Sequence, residues 1–461
     1  MTRTDRKALA YASIIALGGF LFGFDAVVIS GVVPFIRPEF ELNEWWVGAI
    51  VSAPSFAAIG AALTVGPVAD YVGRKRVMLV LALLYTISAV ASAFAPGASA
   101  LLVARLIGGF AFGTLMLAPI YIAEIAPARL RGRMVSVNQF NIVIGFSAAY
   151  FANYYILQLS QSESAFATSL GIDRHAWRWM LGLESLPAAL YFLFMLFVPE
   201  SPRWLTLEGR EDDARRILAR ITPAGQIDEI LGCIHDSVQD ATRSLAAKIR
   251  EAFRPELRLV VIVGLIAAVA QQSSGINAVY FYAPTIFEES GVGTDAAFAQ
   301  ATYIGVVNIV FTVLAMALID RLGRRPLMLA GLAGIAISMF LSAWGFHSEE
   351  PAVVLAGILG FVASFAFSLG PVMWVLFSEI FPNRIRGVCM AFMGIVNSGV
   401  SWFVQFIFPV ELSLLGPVAT MAIFGMTAVV FLGLLGCLLP ETRGLSLEEL
   451  EKELTGARVP R

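Results

Sequence analysis

Polar and apolar positions along this chain separate into long blocks. Twelve stretches are almost wholly apolar: 9–33, 45–69, 76–95, 99–123, 134–158, 177–198, 258–287, 296–319, 326–346, 352–378, 387–410 and 416–439. A helix needs roughly 20 apolar residues to cross the hydrocarbon of a bilayer. Buried core helices could explain one such run but not the whole series. Of 461 residues, 58% are hydrophobic and 14% charged, whereas a soluble domain is about one quarter charged. The pattern therefore predicts an all-α membrane protein with twelve transmembrane helices.

Charge adds orientation. The 32 Lys and Arg residues gather in alternate loops, in the long segment between the sixth and seventh blocks, and at both ends. Arg37, Arg174 and Arg178 fall in the other set of loops, and Arg105 falls inside a block. Basic loops stay cytoplasmic, so both termini are expected there, in a multi-pass protein of the cell membrane. Met1–Lys7 reads as a short basic cap ahead of a full-length span, without a convincing cleavage site. Cys233, Cys389 and Cys437 all lie outside the expected outer loops, so no disulfide framework is implied.

The chain also repeats itself. Asp70-Tyr71-Val72-Gly73-Arg74-Lys75 follows the second block, and Asp320-Arg321-Leu322-Gly323-Arg324-Arg325 the eighth. Glu124-Ile125-Ala126-Pro127-Ala128-Arg129-Leu130-Arg131-Gly132 follows the fourth, and Glu379-Ile380-Phe381-Pro382-Asn383-Arg384-Ile385-Arg386-Gly387 the tenth. Pro199-Glu200-Ser201-Pro202-Arg203 closes the sixth block, and Pro440-Glu441-Thr442-Arg443 the twelfth. Motifs recurring in one order imply two pseudo-symmetric halves of six helices, 1–198 and 258–440, joined by a helical linker, 199–257, and followed by a tail, 441–461. Halves of this kind commonly hold a substrate between them and rock around it. In the linker, the acids from Glu208 to Asp213 followed by spaced apolar residues predict an amphipathic helix.

Two charges stand out within the apolar blocks. Asp25 lies in Phe22-Gly23-Phe24-Asp25-Ala26-Val27, and Arg105 in Leu101-Leu102-Val103-Ala104-Arg105-Leu106. An ionisable side chain at membrane depth is costly unless it is paired or lines an aqueous path. One acid and one base suggest a proton-linked site; a purely structural ion pair is the alternative. In the repeated loops, glycine permits a tight turn, and arginines can bind acids and helix C-termini. Asp70, Arg74, Glu124, Arg131, Glu200, Arg203, Asp320, Arg324, Glu379, Arg386 and Glu441 are thus candidates for a cytoplasmic gate.

With these features in place, the chain resembles the sugar porter family of the major facilitator superfamily over nearly its whole length. The resemblance rests on Gly23-Phe24-Asp25, the paired loops, Pro199–Arg203, Gln271-Gln272-Ser273-Ser274-Gly275-Ile276-Asn277, Gly370-Pro371-Val372-Met373-Trp374 and Pro440–Gly444. It implies a sugar site made by Phe22, Gln139, Gln271, Gln272, Asn277, Asn308, Gly370, Trp374 and Asn397. It also implies a proton-coupling pair of Asp25 and Arg105, matching the family's bacterial proton-linked members more than its animal facilitators. The short outer loop at 32–45 points the same way, and no Asn-x-Ser/Thr sequon occurs. Neutral amides offer donors and acceptors to sugar hydroxyls without the cost of burying a charge, and an indole gives a platform for the C–H face.

The chain departs from the family at Phe146, where proton-linked members carry a second glutamine, in the order Tyr280-Phe281-Tyr282 at the outer gate, and at Ser398, where Trp is common. These positions are candidates for selectivity and gating. The expected function is proton-coupled import of a monosaccharide or related polyol by alternating access, by a monomer in the bilayer with no cofactor and no nucleic-acid partner. A facilitator without proton coupling and a transporter-like sugar sensor remain as alternatives. The histidines His175, His235 and His347 are dispersed and suggest no enzyme.

Overall fold

The computed structural model describes every residue except 1–2, 128–130, 163, 223, 240–249, 252–253, 383–384 and 440–461. Among the described residues there are helices and no strands, as expected where the surroundings offer backbone groups no water and each segment must satisfy its own. In order, the helices are α1 (Arg3–Glu39), α2 (Glu44–Val72), α3 (Arg74–Ala93), α4 (Ala98–Ala111), α5 (Thr114–Ile125), α6 (Arg131–Gln161), α7 (Ala165–Ser169), α8 (Ala176–Leu183), α9 (Ser185–Met195), α10 (Pro202–Leu207), α11 (Glu211–Ile221) and α12 (Ile227–Gln239). They continue as α13 (Arg258–Ser273), α14 (Ile276–Phe281), α15 (Ala283–Glu289), α16 (Thr294–Leu322), α17 (Arg324–His347), α18 (Pro351–Phe367), α19 (Leu369–Ile380) and α20 (Arg386–Leu438).

Ten helical stretches among the described residues are long and apolar enough to cross a membrane. The last of these, α20, holds two apolar blocks that meet at Gly416, whose φ of 78° and ψ of 166° break the helix. The sixth block is α8 followed by α9, each short alone. The twelve-helix expectation is thereby met. Several spans are interrupted where function is expected: α4 gives way to α5 at Phe112 and Gly113, α18 to α19 at Ser368, and α13 to α14 at Gly275.

The chain packs as two compact units. Met1–Val32 with Ala53–Arg243 form the first, and Val33–Ser52 with Ser244–Arg461 the second. In the first unit, α1 and α6 meet backbone to backbone. A Cβ on Gly23 would run into the Ile142 carbonyl, and one on Gly145 into that of Phe20. The contact is pinned where Asn141 Nδ2 donates to the Ala16 carbonyl and Asn153 Nδ2 to that of Val28, each at 3.0 Å. The linker helices also belong here. Ser201 caps α10, its Oγ accepting from the Trp204 amide at 3.2 Å, and the Trp204 indole donates to the Asp70 carbonyl at 2.9 Å. The amphipathic linker helix appears as α11, with Ala214, Leu218 and Ile221 buried. Arg210 donates to Asp213 at 2.6 and 2.9 Å, and with Arg216 it holds that carboxyl below its ordinary range.

In the second unit, the C-terminal end of α1 and the start of α2 form a hairpin closed by Arg37 and Glu44 at 2.5 Å. Trp45 packs on Phe406 (centroids 5.7 Å apart), which stacks on Trp402 (5.8 Å), and Phe35 sits edge-on to Phe298 at 6.3 Å. Pro34 lies in α1 and Pro54 in α2, each beside a point where the helix passes from one unit to the other.

Gly275 has φ +87°, and a Cβ there would meet the Phe424 ring at 2.8 Å. Left-handed backbone costs an L-residue about 1–2 kcal/mol. Gly275→Ala should therefore lower the melting temperature in detergent and, by displacing Asn277, weaken ligand binding; paired thermal-melt and binding measurements check both.

Candidate functional site

Each unit carries one polar cluster. In the first, Asp25 on α1 and Arg105 on α4 are each 1% exposed. Arg105 Nη1 donates to Asp25 Oδ1, and Nη2 to the Asp25 main-chain carbonyl at 3.1 Å. The pairing expected from sequence is thus present, and it is bidentate across side chain and backbone. A small neighbour makes room: a Cβ on Gly108 would sit 3.3 Å from Asp25 Oδ2.

Sequence reasoning missed a third member. Glu184, 2% exposed, lies between α8 and α9, near enough to Asp25 and Arg105 for their charges to interact. Its signal was the one that marked Asp25, an acid within an apolar block. The cluster is therefore two carboxyls and one guanidinium. Asp25 Oδ2 is buried and has no donor of its own.

Phe22, half-buried, meets Phe112 edge-on at 4.6 Å and lies 6.2 Å from Phe146, which is 8% exposed. Phe146 thus packs with Phe22 in an aromatic group. Gln139 is exposed on α6, next to buried Asn138.

The second unit gathers the amides. Gln271 Nε2 donates to the carbonyls of Leu369 (3.0 Å) and Gly370 (3.5 Å). Its Oε1 accepts from Asn397 Nδ2 at 2.8 Å and from Gln272 Nε2 at 3.2 Å. Gln272 also donates to Asn397 Oδ1 at 3.1 Å and accepts from Asn277 Nδ2 at 2.8 Å. Asn277 reaches Ser401 Oγ at 2.7 Å, to which Gln405 also donates at 2.7 Å. The break at Gly275 brings Asn277 into this group, and the break at Ser368 presents the Leu369 and Gly370 carbonyls. Ser401 and Gln405 were not picked out from sequence; they follow Asn397 at helical spacing, which is the signal that could have found them.

Trp374 on α19 is 39% exposed and touches Phe377 edge-on at 5.8 Å, leaving ring surface open. Asn308 is buried on α16, its Oδ1 3.5 Å from the Thr312 hydroxyl, apart from the hydrogen-bonded amides. Ser398 is half-buried beside Asn397. Tyr280 and Phe281 are buried in α14, while Tyr282 donates to the Gln405 carbonyl at 3.1 Å.

The repeated loops form matching arrays inside each unit. Arg74 meets Asp70 at 2.7 Å and Glu124 at 3.1 Å; Arg324 meets Glu379 at 2.8 Å. Lys75 Nζ donates to the Leu196 carbonyl and Arg325 to that of Gly436, both at 2.8 Å, so each caps a helix C-terminus. Glu200 Oε1 accepts from the Lys75 amide at 3.0 Å. Arg386 donates to the Phe381 carbonyl at 3.2 Å, and Arg203 is exposed. The side chains of Arg131 and Asp320, and all of Glu441, lie outside the described residues.

The family model described as "Sugar (and other) transporter" matches residues 11–454. The chain is 36% identical over 440 residues to an arabinose–proton symporter of Bacillus subtilis, covering 95% of this chain and 92% of that protein. It is 36% identical over 466 residues to a glucose transporter of Staphylococcus epidermidis, covering 98% and 100%. Among solved structures, the inward-open xylose transporter of Escherichia coli matches with a TM-score of 0.82 and 33% identity, over 97% of this chain and 99% of that one.

A ligand entering the amide cluster must exchange hydrogen bonds with it, and losing one such partner in a desolvated site costs about 1–3 kcal/mol. Gln272→Ala or Asn277→Ala should each weaken ligand binding at least tenfold with helix content unchanged, as read by calorimetry and circular dichroism.

Proposed function

The chain belongs to the family of sugar (and other) transporters, and from that premise we propose that it imports a monosaccharide or related polyol together with protons by alternating access. It is a multi-pass membrane protein and a transporter, not an enzyme. The observation that carries proton coupling is the buried group of Asp25, Arg105 and Glu184. A facilitator needs no titrating group at membrane depth, where a charge is costly, so this cluster favours symport over uncoupled passage. The relationship to an arabinose–proton symporter supports the same reading.

In the proposed cycle, Asp25 takes a proton from outside and its hold on Arg105 loosens, with Glu184 beside it sharing the charge. Sugar hydroxyls then exchange with the hydrogen bonds among Gln271, Gln272, Asn277 and Asn397, and the Trp374 ring offers its open face. By the family resemblance, Asn308 and Gly370 in the second unit and Phe22 and Gln139 in the first are further candidates for sugar contact, with Phe146 and Ser398 setting selectivity and Tyr280 and Phe281 acting as a gate. The loop acids and arginines make the cytoplasmic gate, with both termini on that side. The arrangement of basic loops supports this orientation. Coupling requires the protonated, sugar-bound form to cross readily and the protonated, empty form poorly. The working form is a monomer, with side chains such as Ile337, Trp344 and Phe197, 69%, 59% and 75% exposed, facing lipid.

Asp25→Asn keeps the shape of the side chain and removes the titrating group. In proteoliposomes the variant should lose sugar accumulation and sugar-driven proton uptake while retaining sugar binding and exchange. Arg105 loses its counter-charge, at a cost of about 3–5 kcal/mol for a buried pair, so folding is verified first by thermal melting. Proton-dependent accumulation by the folded variant would assign coupling to another group.

A further inference from the structure

The amide hydrogens at the centre of the second unit are all committed. A side-chain amide has two N–H hydrogens and an oxygen that can accept twice; a hydroxyl has one hydrogen and can also accept twice. Gln271 gives its hydrogens to the carbonyls of Leu369 and Gly370 at 3.0 and 3.5 Å. Gln272 gives its own to Gln271 Oε1 at 3.2 Å and Asn397 Oδ1 at 3.1 Å. Asn397 donates to the Ala268 carbonyl at 3.1 Å and to Gln271 Oε1 at 2.8 Å. Asn277 donates to Gln272 Oε1 at 2.8 Å and to Ser401 Oγ at 2.7 Å.

What these four amides leave open is oxygen. Gln272 Oε1 and Asn397 Oδ1 each accept one bond, and Asn277 Oδ1 accepts none among the described residues. The open donor beside them belongs to Ser401. Its Oγ lies 2.7 Å from Asn277 Nδ2 and 2.7 Å from Gln405 Nε2. Both neighbours are donors, so the hydroxyl receives two bonds and still holds its own hydrogen. Buried serines elsewhere return that hydrogen to their own helix, Ser147 to the Val143 carbonyl and Ser342 to that of Ser338, each at 3.0 Å. Ser401, 6% exposed, makes no such bond among the described residues. Accepting two bonds polarises the hydroxyl and strengthens it as a donor. The open acceptor and the open donor are neighbours, because one Asn277 amide carries both Oδ1 and the N–H that reaches Ser401. Gln405 is fully buried and its main-chain carbonyl is held by the Tyr282 hydroxyl at 3.1 Å, whereas Asn277 is half-buried. The pair is therefore closed on the Gln405 side and open on the Asn277 side.

We propose that Ser401 is a further ligand-contacting residue, and that Asn277 and Ser401 together read two hydroxyls on adjacent carbons. One hydroxyl donates to Asn277 Oδ1, and the oxygen of its neighbour accepts from Ser401. This deepens the sugar-transport reading given above and rests on it. Whatever bonds a sugar then exchanges with the amides, these two groups meet it without any bond in the cluster being given up first. The polarity of the pair is fixed: one ligand position must donate and the next must accept. A site built to hydrogen-bond a hydroxyl rejects an analogue that lacks it, because its own buried group is then left unpaired.

The test uses the full-length protein in detergent and calorimetry, starting from the monosaccharide or polyol that the parent binds. Its monodeoxy and monofluoro derivatives are compared position by position. Fluorine accepts weakly and cannot donate; hydrogen does neither. At the position facing Ser401 the fluoro derivative should bind several-fold better than the deoxy one. At the adjacent position, facing Asn277 Oδ1, the two should bind equally poorly. Ser401→Ala should weaken the parent ligand about tenfold and erase the fluoro preference at the first position, while Ser401→Thr, which keeps the hydroxyl, should retain that preference. Ser401→Cys, whose thiol is a weak donor, serves if the alanine variant does not fold, and should show the same loss. Uniform weakening of every derivative with the preference intact would make Ser401 a prop for Asn277 and overturn the proposal. Unchanged affinity, or a parent with no adjacent pair of positions behaving in this way, would overturn it as well. A parent that binds no monosaccharide or polyol removes the sugar reading itself, a different result from any of these.

Discussion

The pairing of Asp25 with Arg105 is the interaction on which the first unit is built. A lone guanidinium at membrane depth would be prohibitive, and a carboxylate without it nearly as bad. Holding both requires helices close enough for Arg105 to reach a side chain and a backbone carbonyl of α1 at once. Glycine at 108 and the direct approach of α1 to α6 meet that requirement. The second unit solves a different problem with different groups. Its central polar side chains, Gln271, Asn397, Ser401 and Gln405, are neutral and bond to one another. The buried ion pair thus lies in the first unit, and the hydrogen-bonded neutral amides lie in the second.

Much of this was legible in the sequence. Block length alone located the spans, because the bilayer imposes a length that water does not. Gln271, Gln272 and Asn277 were legible as a group, because three amides in one glycine-interrupted apolar segment can line a cavity, and Asn397 was legible through the family resemblance. Glu184 was not recognised, although it carries the same signal as Asp25, an acid within an apolar block. The helix breaks at Ser368 and Glu184 are flanked by Gly370-Pro371 and by Gly182 and Pro187, and each proline leaves the carbonyl four residues back, at Phe367 and Leu183, without its helical donor. The Tyr85–Thr114 hydrogen bond depends on how α3 and α5 meet, which no periodicity within one helix contains. Asn308 shows the opposite case, a residue expected in the site whose described contact is with Thr312 on its own helix.

The internal repeat extends to side-chain chemistry. Arg74 with Glu124 recurs as Arg324 with Glu379, and Lys75 on Leu196 recurs as Arg325 on Gly436. Cations here do two jobs: they bind a loop acid and satisfy carbonyls left open at a helix end. Similar contacts in both units indicate that the motif stabilises the turn between successive spans whatever else it does.

The two crossings between units have a mechanical consequence. The chain leaves the first unit inside α1 at Val32 and returns inside α2 at Ser52, with no loop at either point. An unbroken helix is a stiff rod. Pro34 and Pro54 stand at these points, and each lacks the N–H that would bind the carbonyl four residues back, at Ser30 and Ile50. With one rung missing, a helix bends at lower cost there than elsewhere along its length. The two prolines thereby mark the places, at matching ends of the Val33–Ser52 segment, where α1 and α2 bend at least cost.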